Sequence, residues 1–274
     1  MFKTEQFEFE GSKVAYLHGG SGSPLLLLHG SGPGASSLGN WKSVLEPLAA
    51  RHEIYAMDLI GFGQSGRKPA PPYFDYGLWV RQAAEMLGRI PGRKVGVIGH
   101  SLSASIALTL ASQSPKSVAV MTTGAMGAPF ELKEGTRRTW TCPRNREELV
   151  AAISGLIYDA SGIDESYLQG REKVIYAEGY ADYFDTMFGG DQQQYIDAAL
   201  LSEDTLKRIS QPVLMLHGRN DDAFPATCTV EIAKGLANAD VMLLNKCSHS
   251  VAVERTSTFL ALAEDFFTRH LEND

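Results

Sequence analysis

Six short apolar runs recur along the chain: PLLLLHG, EIYAMDLIG, KVGVIGH, SVAVMTTGA, PVLMLHG and ADVMLLNKC. None alternates polar with apolar residues, so each reads as a strand that must be covered on both faces. That is the condition of a parallel sheet sandwiched between helices. Stretches with apolar residues at helical spacing lie between them: NWKSVLEPLAA, YGLWVRQAAEMLGRI, SASIALTLASQ, TVEIAKGLA and FLALAEDFFTRHL. FEFEG and KVAYLHGG, near the start, alternate like an antiparallel hairpin. The expectation is an α/β fold with a mostly parallel eight-stranded sheet flanked by helices.

Residues 128–204 break the alternation. REELVAAISGLIYD, ESYLQGREKVIYAEGYADYFDTMF and QQQYIDAALLSEDTLKRI are helical stretches with no strand among them. Long insertions of this kind cover sites. The expected organisation is therefore a core domain of residues 1–127 and 205–274 interrupted by a helical lid at 128–204.

With 274 residues and 44% hydrophobic content the chain can bury a large core. Its net charge is −7 and it has no block of Lys or Arg, which argues against nucleic acid and anionic membrane as partners and leaves a small molecule. No apolar run approaches the roughly 20 residues of a membrane span, and MFKTEQFEFEG lacks a signal-peptide core, so a cytoplasmic protein is expected. Cys142, Cys228 and Cys247 are odd in number and widely spaced, which argues for buried reduced thiols rather than disulfides or a zinc site.

KVGVIGHSLSASIAL, residues 94–108, joins a strand to a helix of small residues through Gly99-His100-Ser101-Leu102-Ser103. A sharp strand-to-helix turn presents a serine hydroxyl at the end of a sheet, where a base can take its proton. Strand and helix backbones pass closely there, so positions two before and two after the nucleophile favour small residues. Gly99 meets the first demand; Ser103 adds a hydroxymethyl at the second. Ser101 is the candidate nucleophile, since Ser103 would sit inside the first helical turn. The competing reading is a serine that merely caps the helix.

Downstream residues decide between them. RNDDAFP follows PVLMLHG and puts Asp221 and Asp222 at a strand's carboxyl end; KCSHS follows the next strand and puts His249 at a comparable place. Base and carboxylate would follow the nucleophile in the order Ser, Asp, His. Sequence alone leaves Asp221 and Asp222 equivalent. His18, His52 and His270 read as surface residues near element ends, and His217 as structural.

LLLLHGSGPGASSLGNW supplies the other half of an acyl-transfer site. Gly30, Ser31, Gly32, Pro33 and Gly34 permit an open turn whose N–H groups can face a forming oxyanion, with Gly30 and Gly32 bordering substrate. The expected donors are the N–H groups of Ser31 and Leu102. The loop has no following lysine motif for phosphate.

These motifs, with DLIGFGQSG (Asp58, Gly61, Gly63, Ser65), GRNDDAFP and CSH, make the whole chain resemble the α/β-hydrolase superfamily. HGSGPGASSLGNW makes it most similar to the meta-cleavage product hydrolases, which cut a carbon–carbon bond in ring-opened aromatic catabolites. The resemblance implies Asp221 rather than Asp222 as the triad acid. YLQGREKVI aligns with a lid segment whose arginine holds the substrate carboxylate, which implies that role for Arg171. Asn40 matches a residue that positions the substrate's oxygenated end, and His100 stands beside the nucleophile as a further substrate contact.

The resemblance also implies no metal or organic cofactor, and a homo-oligomer, dimer or larger. Three positions depart from the pattern: His100 replaces asparagine, Ser103 replaces glycine, and Ser250 replaces the tryptophan after the catalytic histidine. The implied reaction is serine-dependent hydrolysis of a 2-hydroxy-6-oxo-2,4-dienoate to a 2-hydroxypenta-2,4-dienoate and a carboxylic acid. The rivals are a carboxylic ester or lactone hydrolase on the same triad, a receptor with a vestigial triad, and a cofactor-free dioxygenase.

Overall fold

In the computed structural model, which describes residues 1–163 and 165–271, eight strands form one sheet in the order β1-β2-β4-β3-β5-β6-β7-β8. Position 164 of the expected insertion and positions 272–274 of the expected core lie outside the described residues. Strands β1 (Lys3–Phe9) and β2 (Ser12–Gly20) are an antiparallel hairpin, turned by Glu10 and Gly11, both at positive φ. β2 pairs antiparallel with β4 (His52–Met57). The others, β3 (Ser23–Leu28), β5 (Val95–His100), β6 (Ser117–Thr123), β7 (Val213–Gly218) and β8 (Ala239–Leu244), run parallel.

The unbroken apolar runs are explained by two cores, one on each face of the sheet. Leu25 and Leu27 of β3 pack with Trp41 and Val44 of α1 (Ser37–Ala49) and with Phe259 and Phe267 of α12 (Thr256–Leu271). Leu26 and Leu28, the alternate residues, join the opposite core with Trp79 and Met86 of α2 (Tyr76–Arg89) and Ile106 and Leu110 of α3 (Leu102–Gln113). Each fully buried leucine contributes about 1.5–3 kcal/mol relative to exposure. α1 and α2 start where side chains cap them: Ser36 accepts from Gly39 N–H at 3.0 Å, and Asp75 from Leu78 N–H at 2.9 Å.

Between β6 and β7 the described residues are helical or irregular: α4 (Glu134–Thr139), α5 (Arg146–Ser154), a 3₁₀ turn (Ala160–Gly162), α6 (Glu165–Ile175), α7 (Tyr180–Met187), α8 (Gln193–Asp197) and α9 (Glu203–Lys207). The long second helical stretch is two helices, because Gly179 at φ +68° turns the chain between them. The third is likewise divided into α8 and α9, and α4 was not anticipated. After β7 come α10 (Thr227–Lys234), and after β8 the short α11 (Val251–Glu254). No helix among the described residues is long and apolar enough to cross a membrane.

Two histidine assignments are corrected. His52 is buried, its ring edge-on to Phe267, because β4 starts beneath α12. His18 lies inside β2, half-buried between Glu5 and Glu53 at 3.1 and 2.9 Å. His270 is half-buried against Phe266 near the end of α12.

Candidate active site

The order of the strands reverses between β3 and β5, and a crevice opens beyond their carboxyl ends. Gly30 and Ser31 leave β3 there, and Ser101 leaves β5. Ser101 adopts φ +58°, ψ −123°, a region that residues with a side chain rarely occupy and that costs on the order of 1–3 kcal/mol. The turn is held by Ser101 N–H donating to Thr123 C=O at 2.9 Å, while Ser101 C=O accepts from Ala104 and Met126 N–H at 3.0 and 3.2 Å. A Cβ on Gly99 would lie 2.3 Å from the Ser103 carbonyl oxygen, so the residue two before the serine has to be glycine. Ser103 itself is accommodated: it is fully buried and its Oγ donates to the His29 carbonyl at 2.5 Å.

Asp221 and His249 meet as the order Ser, Asp, His requires. His249 Nδ1 is 2.6 Å from Asp221 Oδ2, both side chains are buried, and Asp222 is exposed. Burial opposes the Asp221 charge, yet the adjacent His249 and N–H donation from His217 more than offset it and hold the carboxyl well below the usual carboxylate range. Room for the imidazole comes from Gly124, at φ +54°, where a Cβ would sit 2.9 Å from His249 Nδ1. Phe224 stacks on the His249 ring, with centroids 4.4 Å apart.

Ser101 and His249 line one cavity, together with Gly30, Ser31, Gly32, Asn40, His100, Tyr167 and Arg171. Among the described residues Ser101 Oγ is not hydrogen-bonded to His249 Nε2; such bonds often tighten only when substrate is bound. Leu102 is the first residue of α3, where N–H groups lack helical partners. Gly30 N–H is directed to Asn40 Oδ1 at 3.4 Å. Its carbonyl accepts from His29 Nδ1 at 2.6 Å, and since a trans peptide points C=O and N–H in opposite directions, that bond orients the Ser31 N–H away from His29. Leu59 N–H donates to His29 Nε2 at 3.0 Å, which fixes the neutral Nδ1–H tautomer. Burial likewise lowers the His29 pKa.

His100 is a second imidazole on the cavity wall, its centroid 4.7 Å from that of His249. Its Nδ1 contacts Thr123 Oγ1 and C=O at 2.9 and 3.2 Å; the carbonyl can only accept, so Nδ1 carries the proton and Nε2 is a bare acceptor. Burial, reinforced by His249, pushes its pKa well below the ordinary histidine value. A Cβ on Gly30 would lie 3.0 Å from this ring and 3.2 Å from Ser101 Cβ, so Gly30 permits close approach; Gly32 has no comparable constraint.

Arg171, on α6, reaches the opposite end of the cavity. Nη1 donates to Pro33 C=O at 2.6 Å and Nη2 to Tyr167 Oη at 2.9 Å, while Nε is buried without a partner. The apolar wall comes from Leu149, Ala152, Ile153 and Leu156 on and after α5. Ser250, in the departed position, also borders the cavity, and both His249 and Ser250 N–H donate to Leu156 C=O at 3.1 and 3.2 Å. Among the described residues no cluster of three or more His, Cys, Asp or Glu side chains is placed to hold a metal ion.

Sequence reasoning missed His29 and gave His217 no part in the site. The available signal was the doublet His-Gly ending two buried strands, at 29–30 and 217–218. The DLIGFGQSG loop is structural: Asp58 accepts from Ser37 and Gln64 N–H at 2.6 and 2.8 Å, and Ser65 Oγ donates to Asp58 C=O at 2.7 Å.

Residues 25–262 match the Alpha/beta hydrolase family. The chain is 28% identical over 248 residues to the 2-hydroxymuconate semialdehyde hydrolase of Pseudomonas sp. strain CF600, covering 90% of this chain and 87% of that one. It is 28% identical over 250 residues to the 2-hydroxy-6-oxo-2,4-heptadienoate hydrolase of Pseudomonas putida, with 90% of each covered. Among solved structures it is similar to a meta-cleavage product hydrolase from Pseudomonas fluorescens IP01, a serine-to-alanine mutant complexed with acetates. There the TM-score is 0.91 at 25% identity, over 97% of both chains.

Proposed function

The chain belongs to the alpha/beta hydrolase family, and from that premise we propose that it cleaves a carbon–carbon bond of a ring-opened aromatic catabolite, a 2-hydroxy-6-oxo-2,4-dienoate. The observation that carries the reading is the strained Ser101 turn opening onto a cavity that also holds a carboxylate-backed imidazole and, at its far end, an arginine. The names of the similar Pseudomonas proteins support the substrate class.

In this reading the substrate carboxylate lies against Arg171, with its oxygens near Asn40, Ser31 and His100. The dienol first becomes a keto tautomer, which turns the five-carbon fragment into a competent leaving group. Ser101 then attacks the C6 carbonyl while His249 takes its proton, and the Ser31 and Leu102 N–H groups receive the oxyanion. Asp221 holds the His249 tautomer and stabilises the imidazolium. C5–C6 cleavage leaves the bonding pair in a dienolate whose charge rests on the C2 oxygen; the proton held by His249 returns to that oxygen, and a 2-hydroxypenta-2,4-dienoate is released. Water, deprotonated by His249, hydrolyses the acyl-enzyme to a carboxylic acid and restores Ser101.

Residues 128–204 act as the lid, since α5 and α6 wall the cavity. A cytoplasmic setting is supported by three cysteines that are free and buried. A homo-oligomer is supported by β8, which ends the sheet and exposes Val241, Met242 and Leu243 at 39%, 38% and 40%.

One observation favours a second reading, an ester or lactone hydrolase: two Arg171 nitrogens already serve Pro33 and Tyr167. The test follows loss of dienoate absorbance for substrates bearing hydrogen, methyl or phenyl at C6, beside p-nitrophenyl esters. Loss of at least one dienoate faster than turnover of the esters is expected. Ester turnover with every dienoate untouched would establish the second reading instead.

A further inference from the structure

Asp221 serves two histidines, not one. Its Oδ2 lies 2.6 Å from His249 Nδ1 and 3.1 Å from His217 Nε2, and its Oδ1 accepts from Phe224 N–H at 2.9 Å. His217 Nε2 is also 3.0 Å from the Phe224 carbonyl, so both of its neighbours are acceptors and this nitrogen carries the proton. The other ring nitrogen is 2.7 Å from Thr229 Oγ1 on α10. His217 is completely buried at the end of β7, and Gly218 after it lets the chain following β8 pass: a Cβ there would lie 2.0 Å from the Ser248 carbonyl oxygen. A fully buried, doubly bonded imidazole four residues before the acid is more than filler.

We propose that His217 is a positioning residue for the catalytic carboxylate: by donating a second N–H to Oδ2 it orients Asp221 and sets the pH at which His249 is free to act as a base. The proposal rests on the triad assigned above. The electrostatics run in one direction. An N–H bond to a carboxylate stabilises its negative charge and weakens its hold on a neighbouring imidazolium. Removing it makes Asp221 more basic, so His249 retains its proton to higher pH. The other titratable groups around the pair are His100 at the end of β5, Glu254 on α11, Cys228 on α10 and Cys247 after β8. None of these donates to Oδ2 among the described residues.

The test is the pH dependence of kcat/KM for p-nitrophenyl acetate, with thermal melts, for the wild-type chain, His217→Leu, His217→Gln, Thr229→Val and Asp221→Asn. His217→Leu should move the acid limb upward by about half a unit to one unit, the scale of one charge-assisted hydrogen bond partly transmitted to its neighbour. Glutamine keeps a side-chain N–H and should restore most of the wild-type profile; Thr229→Val should shift the limb the same way by less. If His217→Leu does not fold, His217→Gln and Thr229→Val carry the measurement. Lower melting temperatures with the acid limb unmoved in all His217 and Thr229 variants would reduce His217 to a structural role and overturn the proposal. Asp221→Asn separates the two levels. Its inactivity leaves the triad standing whatever His217 does, whereas wild-type turnover in it would remove the triad and this proposal together.

Discussion

Ser103 Oγ donates to the carbonyl of His29 at 2.5 Å, joining the first turn of α3 to the last residue before the glycine loop. The position where the elbow pattern has glycine thus holds a side chain that ties the nucleophile turn to the loop carrying Ser31. Ser103→Ala should cost about 1–2 kcal/mol of stability in urea unfolding, because a buried carbonyl loses its donor. Activity at Ser101 should survive, since Ser103 does not border the cavity. A stability unchanged by the substitution would show the bond to be incidental.

Gly99→Ala should be far worse than a usual surface change. Its new methyl would meet the Ser103 carbonyl at 2.3 Å, a backbone atom that cannot rotate away. Overpacking of this kind costs about 1–3 kcal/mol, and relief requires the Ser101 turn to open. Loss of activity together with a lower unfolding midpoint is expected; a variant of wild-type stability and rate would contradict the close approach.

Arg171→Ala separates the two functional readings. Stranding a buried carboxylate costs about 3–5 kcal/mol, so kcat/KM for a dienoate should fall by two to three orders of magnitude or more. For p-nitrophenyl acetate, which has no carboxylate, the fall should be small and come from the released Pro33 carbonyl. Equal losses for both substrates would mean that Arg171 only braces the loop.

His18 makes stability depend on pH away from the site. Burial lowers its pKa, but hydrogen bonds donated to Glu53 and Glu5 outweigh it and raise the value above the ordinary one. A folded-state pKa above the unfolded one, about 6.5, gives a contribution fully present below that pH and lost as pH rises through the folded value. The wild-type midpoint should therefore fall on going from about pH 6 to 8 more than that of His18→Gln. Parallel curves for the two proteins would show that His18 is not coupled to folding.

The sheet and the Ser101 turn were legible because their signals are local, whereas the choice of Asp221 over Asp222 came from the resemblance alone. β-branched and leucine runs announce a doubly covered strand, and Gly99 and Ser101 declare a tight turn within five residues. Hydrogen-bond networks carry no such mark. His29 is fixed by Leu59, thirty positions away, and a histidine at the end of an apolar run looks the same whether or not it has that partner. His217 was assigned a structural place for the same reason: its bond to Asp221 depends on how the loop after β7 folds back, and only the coordinates show it. Periodicity also carried the helices of 165–187 through Gly179, whose positive φ ends them.

The proposed reaction depends on Ser101 as the nucleophile. The most direct test is the turnover of a 6-methyl 2-hydroxy-6-oxo-dienoate by wild-type protein and by Ser101→Ala, both verified as folded. The wild type should consume the dienoate, and the variant should be slower by about 10⁶-fold, the scale of removing a triad serine. Comparable rates from the two proteins would contradict it.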